Sequence, residues 1–217
     1  TVRQYLKKYQ WHLMGIPVTY VPDVNTVFHG CYMIWMDESF AYSGLSNGWQ
    51  YLVAGDSMIA MGGYAVRYGW DGALYPKTAD TTVSFTGVLN TGVQDTIFDS
   101  ETEGWNLISN PYPVTMDWDA PDGKSLTNSN DAFYIWNPNL NGGAGDYGSY
   151  GSYISGGSTN GQTRYIPPMQ GFFFEVWATV AGISFSNAIK AAVSSAVFCD
   201  AGKLPGNETK PQGVETA

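Results

Sequence analysis

Short apolar and aromatic runs recur along the whole chain, separated by stretches rich in glycine, proline and asparagine. Runs of this length, bounded by turn-forming residues, predict strands joined by loops. Phe172-Phe173-Phe174-Glu175-Val176-Trp177 is almost continuously apolar, the pattern of a strand buried on both faces. Pro17, Pro111, Pro113 and the pair Pro167-Pro168 mark strand ends, because proline cannot donate to a ladder. Helix signals are almost absent. The alanine-rich segment 187–196 fits one short helix, or a last strand.

The pattern is written twice. Trp11-His12-Leu13-Met14-Gly15-Ile16-Pro17 is echoed by Trp105-Asn106-Leu107-Ile108-Ser109-Asn110-Pro111, both reading W-x-L-x-x-x-P. Tyr32-Met33-Ile34-Trp35 is echoed by Phe133-Tyr134-Ile135-Trp136, Gly63-Tyr64 by Gly171-Phe172, and Val83-Ser84-Phe85 by Ile183-Ser184-Phe185. The order of the blocks is kept while the loops between them change length, as expected of an internal duplication. The predicted fold is therefore all-β, a jelly-roll-like β-sandwich built from two related half-repeats with at most one short helix. Residues 1–103 hold the first repeat with a lead-in strand and connector, and 104–198 hold the second. Residues 199–217 form a linker or tail, and the two repeats are expected to pack as one unit. Leu13, Trp35, Tyr64, Leu107, Trp136 and Phe172 are expected inside.

Composition narrows the partners. The chain has 217 residues, of which 15% are aromatic and only 13% charged, with a net charge of −9. That balance repels a nucleic-acid backbone and an anionic membrane surface alike. No apolar run is long enough for a membrane span. Two cysteines, Cys31 and Cys199, are compatible with one disulfide in an oxidising compartment or with two buried thiols.

At 104–119 the chain reads GWNLISNPYPVTMDWD, at 132–139 AFYIWNPN and at 165–176 YIPPMQGFFFEV. These blocks resemble a duplicated W-x-L / G-W-N-L-x-x-N-P-Y-P region of large secreted Bacteroidetes surface proteins that carry a type IX secretion sorting domain. The opening VRQYL followed by WHLMGIPV resembles the start of that region. The resemblance covers roughly 2–190 and implies export, a place outside the cell or on the outer-membrane surface, and other domains of the same parent chain as neighbours. It brings no catalytic residues.

Chemistry is sparse. The chain has two histidines, and His29 lies two residues from Cys31, where one strand face would hold both. A thiol–imidazole dyad is conceivable there, but two residues fixed on one strand suit a buried thiol beside a histidine better. The carboxylate pair Asp37-Glu38 would point to opposite strand faces, which does not suit glycoside hydrolysis. Asp117, Asp119 and Asp122, followed by Asn128, Asn130 and Asp131, offer oxygen ligands of the kind calcium takes. Asx turns and surface acids account for the same residues. Loop aromatics are the other lead: Trp70 and Tyr75 (near Tyr68) in the first copy, and Tyr147, Tyr150 and Tyr153 in the second. Exposed, they would suit stacking on a sugar ring; folded under, they would pin glycine-rich loops to the sandwich. The reading is a non-catalytic extracellular structural or adhesive module, possessing no cofactor unless calcium binds. Its expected partners are the parent chain, a surface protein or glycans, and the alternative is a carbohydrate-binding module that uses the loop aromatics.

Overall fold

A computed structural model describes residues 1–38, 48–69, 79–98, 103–140, 148–154 and 156–193. The first half runs β1 (Val2–Leu6), β2 (Trp11–Met14), β3 (Tyr20–Val21), a single helical turn α1 (Asn25–Phe28), β4 (Tyr32–Met36), β5 (Trp49–Tyr51), β6 (Met58–Ile59), β7 (Tyr64–Arg67) and β8 (Thr81–Phe85). The second runs β9 (Gln94–Phe98), β10 (Trp105–Ser109), β11 (Met116–Asp117), β12 (Lys124–Thr127), β13 (Ala132–Asn137), β14 (Ser149–Ile154), β15 (Gly157–Ser158), β16 (Tyr165–Ile166), β17 (Gly171–Glu175) and β18 (Ala181–Phe185). The chain is all-β and sandwich-like, and its sheets are antiparallel throughout the described residues.

The duplication is visible in the strand order. The first half has a sheet ordered β2-β7-β4-β5, and the second has β10-β17-β13-β14, extended by β15. Each half adds a small pair, β3-β6 and β11-β16, and an outer sheet, β1-β8 and β12-β18-β9. Strand β9 precedes residue 103 yet pairs with β18, just as β1 pairs with β8. Trp11 lies opposite Arg67 and Trp105 opposite Glu175; Met14 lies opposite Tyr64 and Ile108 opposite Phe172. The W-x-L and glycine–aromatic blocks are therefore structurally equivalent.

The aromatic block is equivalent only after a shift of one residue. Ile34 lies opposite Ala65 on β7, and the residue opposite Phe173 on β17 is Tyr134, not Ile135. A slip of one residue exchanges the two faces of a strand, so the matching faces are Ile34 and Met36 with Tyr134 and Trp136. Trp35 then falls on the opposite face and stays 38% exposed, against the expectation that it is core.

Side-chain alternation sorts the apolar residues into three layers. The first core holds Met14, Met33, Tyr64 and Val66 of the β2-β7-β4-β5 sheet against Val2, Leu6, Val83 and Phe85 of the β1-β8 pair, with Phe28 of α1. The second holds Ile108, Phe133, Ile135, Phe172 and Phe174 against Ile183 and Phe185. The third joins the halves: Leu13 and Ala65 meet Leu107 and Phe173, rimmed by Trp11, Ile34, Met36, Trp49, Trp105, Tyr134 and Trp136. The halves are two sandwiches placed back to back. Strand β7 is buried at every position and β17 at all but its last, which explains their near-continuous apolar sequence.

In the segment expected to be a helix or a last strand, Asn187–Ile189 is a 3-10 turn followed by a bridge between Lys190 and Met116, and residues 194–196 lie outside the described residues. The start of the 3-10 turn is set by Ser186, whose hydroxyl accepts from the Ala188 N–H. The turn α1 follows Asp23, whose carboxylate accepts the Asn25 N–H at 2.8 Å, so the sequence carried a capping residue for it but no apolar periodicity.

Candidate functional site

Two of the three candidate calcium ligands, Asp117 and Asp119, are engaged by other partners. Asp117, on β11, accepts the Asp119 N–H at 3.1 Å in an Asx turn, and its second oxygen lies 3.1 Å from the Arg164 guanidinium. Asp119 lies 4.0 Å from the same guanidinium and accepts the Tyr153 hydroxyl. That hydrogen bond, then burial, pushes the Tyr153 hydroxyl up to about 12. Asp122 occupies the left-handed position of a turn, with φ of 57°, and its carbonyl accepts from Ser186 at 2.7 Å. Asn128 and Asn130 donate to the Val180 carbonyl and the Glu175 carboxylate. Asp131 takes Trp118 Nε1–H at 2.7 Å and lies 3.1 Å from Lys124 Nζ. Among the described residues no group of three or more His, Cys, Asp or Glu side chains is placed to hold a metal ion. Arg164 and Lys124 supply the positive charge in this corner, and sequence reading passed over both because they are isolated cations in polar stretches.

The loop aromatics divide. Trp70, Tyr75 and Tyr147 lie outside the described residues. Tyr150 and Tyr153 are three apart on β14 and therefore face opposite ways. Tyr153 is buried and stacks on Phe133, with ring centres 5.6 Å apart and planes at 27°. Tyr150 remains 41% exposed on the junction side, edge-on to Trp136 at 5.2 Å and to Phe173 at 5.7 Å. Desolvation of its hydroxyl pushes the Tyr150 pKa up to about 12. Tyr68 is fully buried in the first core, where burial, and secondarily Cys31, raise its hydroxyl pKa.

Cys31 is buried in the same core, and Cys199 lies outside the described residues. His29 and Cys31 do not share a strand face. His29 closes α1, and Gly30 at φ 74° turns the chain between them. Glu38 is buried and accepts the Gly104 N–H of the other half.

The feature that sequence reading missed is the junction, whose contacts are reciprocal. Met14 bridges Gln170 and Gly62 bridges Ile108, the same pair of positions with the halves exchanged. The Gly15 N–H donates to the Met169 carbonyl at 2.8 Å, and the Ser109 N–H to the Met61 carbonyl at 3.0 Å. Met61 and Met169 are both left-handed, with φ of 63° and 58°. Each is buried in the other half's core, Met61 among the second-half residues and Met169 among the first. Gly63 and Gly171 admit the facing strands: a Cβ on Gly63 would stand 2.7 Å from the Leu107 backbone, and one on Gly171 2.6 Å from the Met14 nitrogen. These backbone contacts occur twice, as across a two-fold axis between identical subunits, whereas the side-chain bonds from Gln170 Nε2 to the Leu13 carbonyl and from the Ser109 hydroxyl to the Gly62 carbonyl occur once.

The connector at 86–93 is pinned to both halves. Val88 and Pro17 carbonyls take the N–H groups of Thr19 and Asn90. The Asn90 amide donates to the carbonyls of Val18 at 3.0 Å and Pro111 at 2.9 Å, one in each half. The Tyr112 hydroxyl donates to the Gly92 carbonyl at 2.7 Å, beneath the Lys190 ammonium 4.3 Å from the ring centre.

No family model, no curated protein and no solved structure matches the chain. Among the described residues no helix is long and apolar enough to cross a membrane.

Proposed function

We propose that this chain is a non-catalytic structural or adhesive module of a secreted bacterial surface protein, working outside the cell between other domains of its parent chain. The observation that carries the reading is the reciprocal exchange of Met61 and Met169. It locks two sandwiches into one body, which suits a part that spaces or stiffens a longer protein. The acids and aromatics that chemistry would recruit support the same reading. Asp117 and Asp119 face Arg164, Asp119 accepts the Tyr153 hydroxyl, and Tyr153 is buried in the second core. The resemblance of the W-x-L and G-W-N-L blocks to exported surface proteins supplies the cellular setting.

A carbohydrate-binding module is the second reading, favoured by one observation. Tyr150 stays 41% exposed, backed by Trp136 and Phe173, and an aromatic ring held this way can stack on a sugar. A glycan array probed with the intact chain separates the two. The structural reading expects no glycan above background. Specific binding that disappears in Tyr150→Ala or Trp70→Ala would replace it with the second. Turnover of a glycoside or an ester at an enzyme-like rate would overturn both.

A further inference from the structure

His12 is the second residue of β2, immediately after Trp11, and its counterpart on β10 is Asn106. The pairing partners match as well, Val66 for His12 and Phe174 for Asn106. The two environments differ. Asn106 is half-buried and donates to the Gly104 carbonyl at 3.2 Å. His12 is 1% exposed, on the first-core face of β2. Its Nε2 lies 2.9 Å from the Lys7 carbonyl, which can only accept, so Nε2 carries a proton and the neutral ring is seated by that bond.

The groups that face this imidazole give a second proton little support. Lys7 and Lys8 come from the turn between β1 and β2 and are cationic. Tyr64 and Tyr68 from β7 and its continuation, and Cys31 before β4, are buried in the first core, where burial raises both tyrosine hydroxyls further above neutrality. Arg67, also on β7, lies opposite Trp11 and projects to the junction side. Among the described residues the anion that acts on this ring is Asp80, just before β8. Its carboxylate accepts the Tyr5 hydroxyl and the Lys8 N–H, the Tyr5 bond being the main reason its pKa is lowered.

We infer that the corner made by β1, the turn at 7–10 and the start of β2 is an acid-responsive latch, which opens when His12 is protonated while the junction and the second half stay closed. This inference stands whether the module is structural or binds sugar. Burial lowers the His12 pKa to about 4, against 6.5 for the exposed group, outweighing the Lys7 bond and Asp80. The open form therefore binds more protons between these values. The latch is fully stable above about pH 6.5 and loses stability as the pH falls toward 4, with opening favoured about 30-fold more at pH 5 than at pH 7.5. The second half has no histidine, since the two in the chain are His12 and His29.

Hydrogen exchange of the intact chain at pH 7.5 and pH 5, corrected for intrinsic rates, tests this. Protection should fall selectively across 2–12 and 81–85 and hold across 105–109 and 171–175. His12→Asn, which installs the second-half residue, should abolish the pH-dependent part. Equal losses in both halves, or an unchanged pH response in His12→Asn, would overturn the latch. If that variant does not fold at pH 7.5, NMR titration of the two histidines in the wild type decides alone. A His12 resonance that titrates near 6.5 in the folded protein contradicts the inference, and one still neutral at pH 5 upholds it.

Discussion

The two halves are alike in strand order and where backbone meets backbone, and they differ mainly at their outer positions. Gly63 and Gly171, Met61 and Met169, Leu13 and Leu107, and Trp11 and Trp105 repeat. Arg67 and Glu175 occupy one position with opposite charge, the former over the Trp11 ring at 5.8 Å and the latter holding Asn130. The second outer sheet has a third strand, β12, where the first half has α1 in the corresponding stretch between β3 and β4. The second half extends its inner sheet with β15, and no described strand does so beside β5. The difference separates two kinds of constraint. A position whose neighbour is the other copy's main chain tolerates few side chains, whereas a solvent-facing position tolerates many.

The comparison predicts that junction substitutions outweigh all others. Gly63→Ala and Gly171→Ala each drive a methyl into a facing backbone that has no flexible end to move, so each should lower stability by about 4 kcal/mol in chemical denaturation. An effect below about 1 kcal/mol at either site would show that the close approach is not a requirement. Asn90→Ala strips a fully buried amide from carbonyls of both halves and should cost about 2 to 3 kcal/mol by the same measurement. Tyr153→Phe belongs to the second half alone. It removes the bond to the partly exposed Asp119 and should cost about 1 kcal/mol, with no change at junction amides in NMR spectra. Calcium sits at the bottom of the order. With Asp117 and Asp119 already facing Arg164, millimolar calcium should move the melting temperature by no more than about 1 °C. A larger rise that chelator reverses would restore the ligand set Asp117, Asp119 and Asp122.

Much of the fold was legible in the sequence because strand period and repetition reinforce one another. W-x-L and glycine–aromatic strings mark paired strands in each half, and those strands are where they should be. The one-residue error in matching β4 to β13 arose because an all-apolar strand looks the same on both faces. The interlock was written as well, in Met61-Gly62-Gly63-Tyr64 and Met169-Gln170-Gly171-Phe172. It escaped reading because a methionine before a glycine turn gives no sign of whose core it enters. The burial of Tyr153, and Arg164 as partner to acids far away in sequence, depend on tertiary placement that local pattern does not encode.

The central claim, that each half completes the other's core, is tested most directly by hydrogen exchange of Met61→Ala and Met169→Ala beside the wild type. A truncated buried methionine leaves a cavity costing about 2 to 5 kcal/mol, and the lost protection should gather around that cavity. For Met61→Ala the account places the loss in the second half, at 133–135 and 172–174, and for Met169→Ala in the first, at 14–18 and 64–66. Losses confined in each variant to the half that carries the substitution would contradict it.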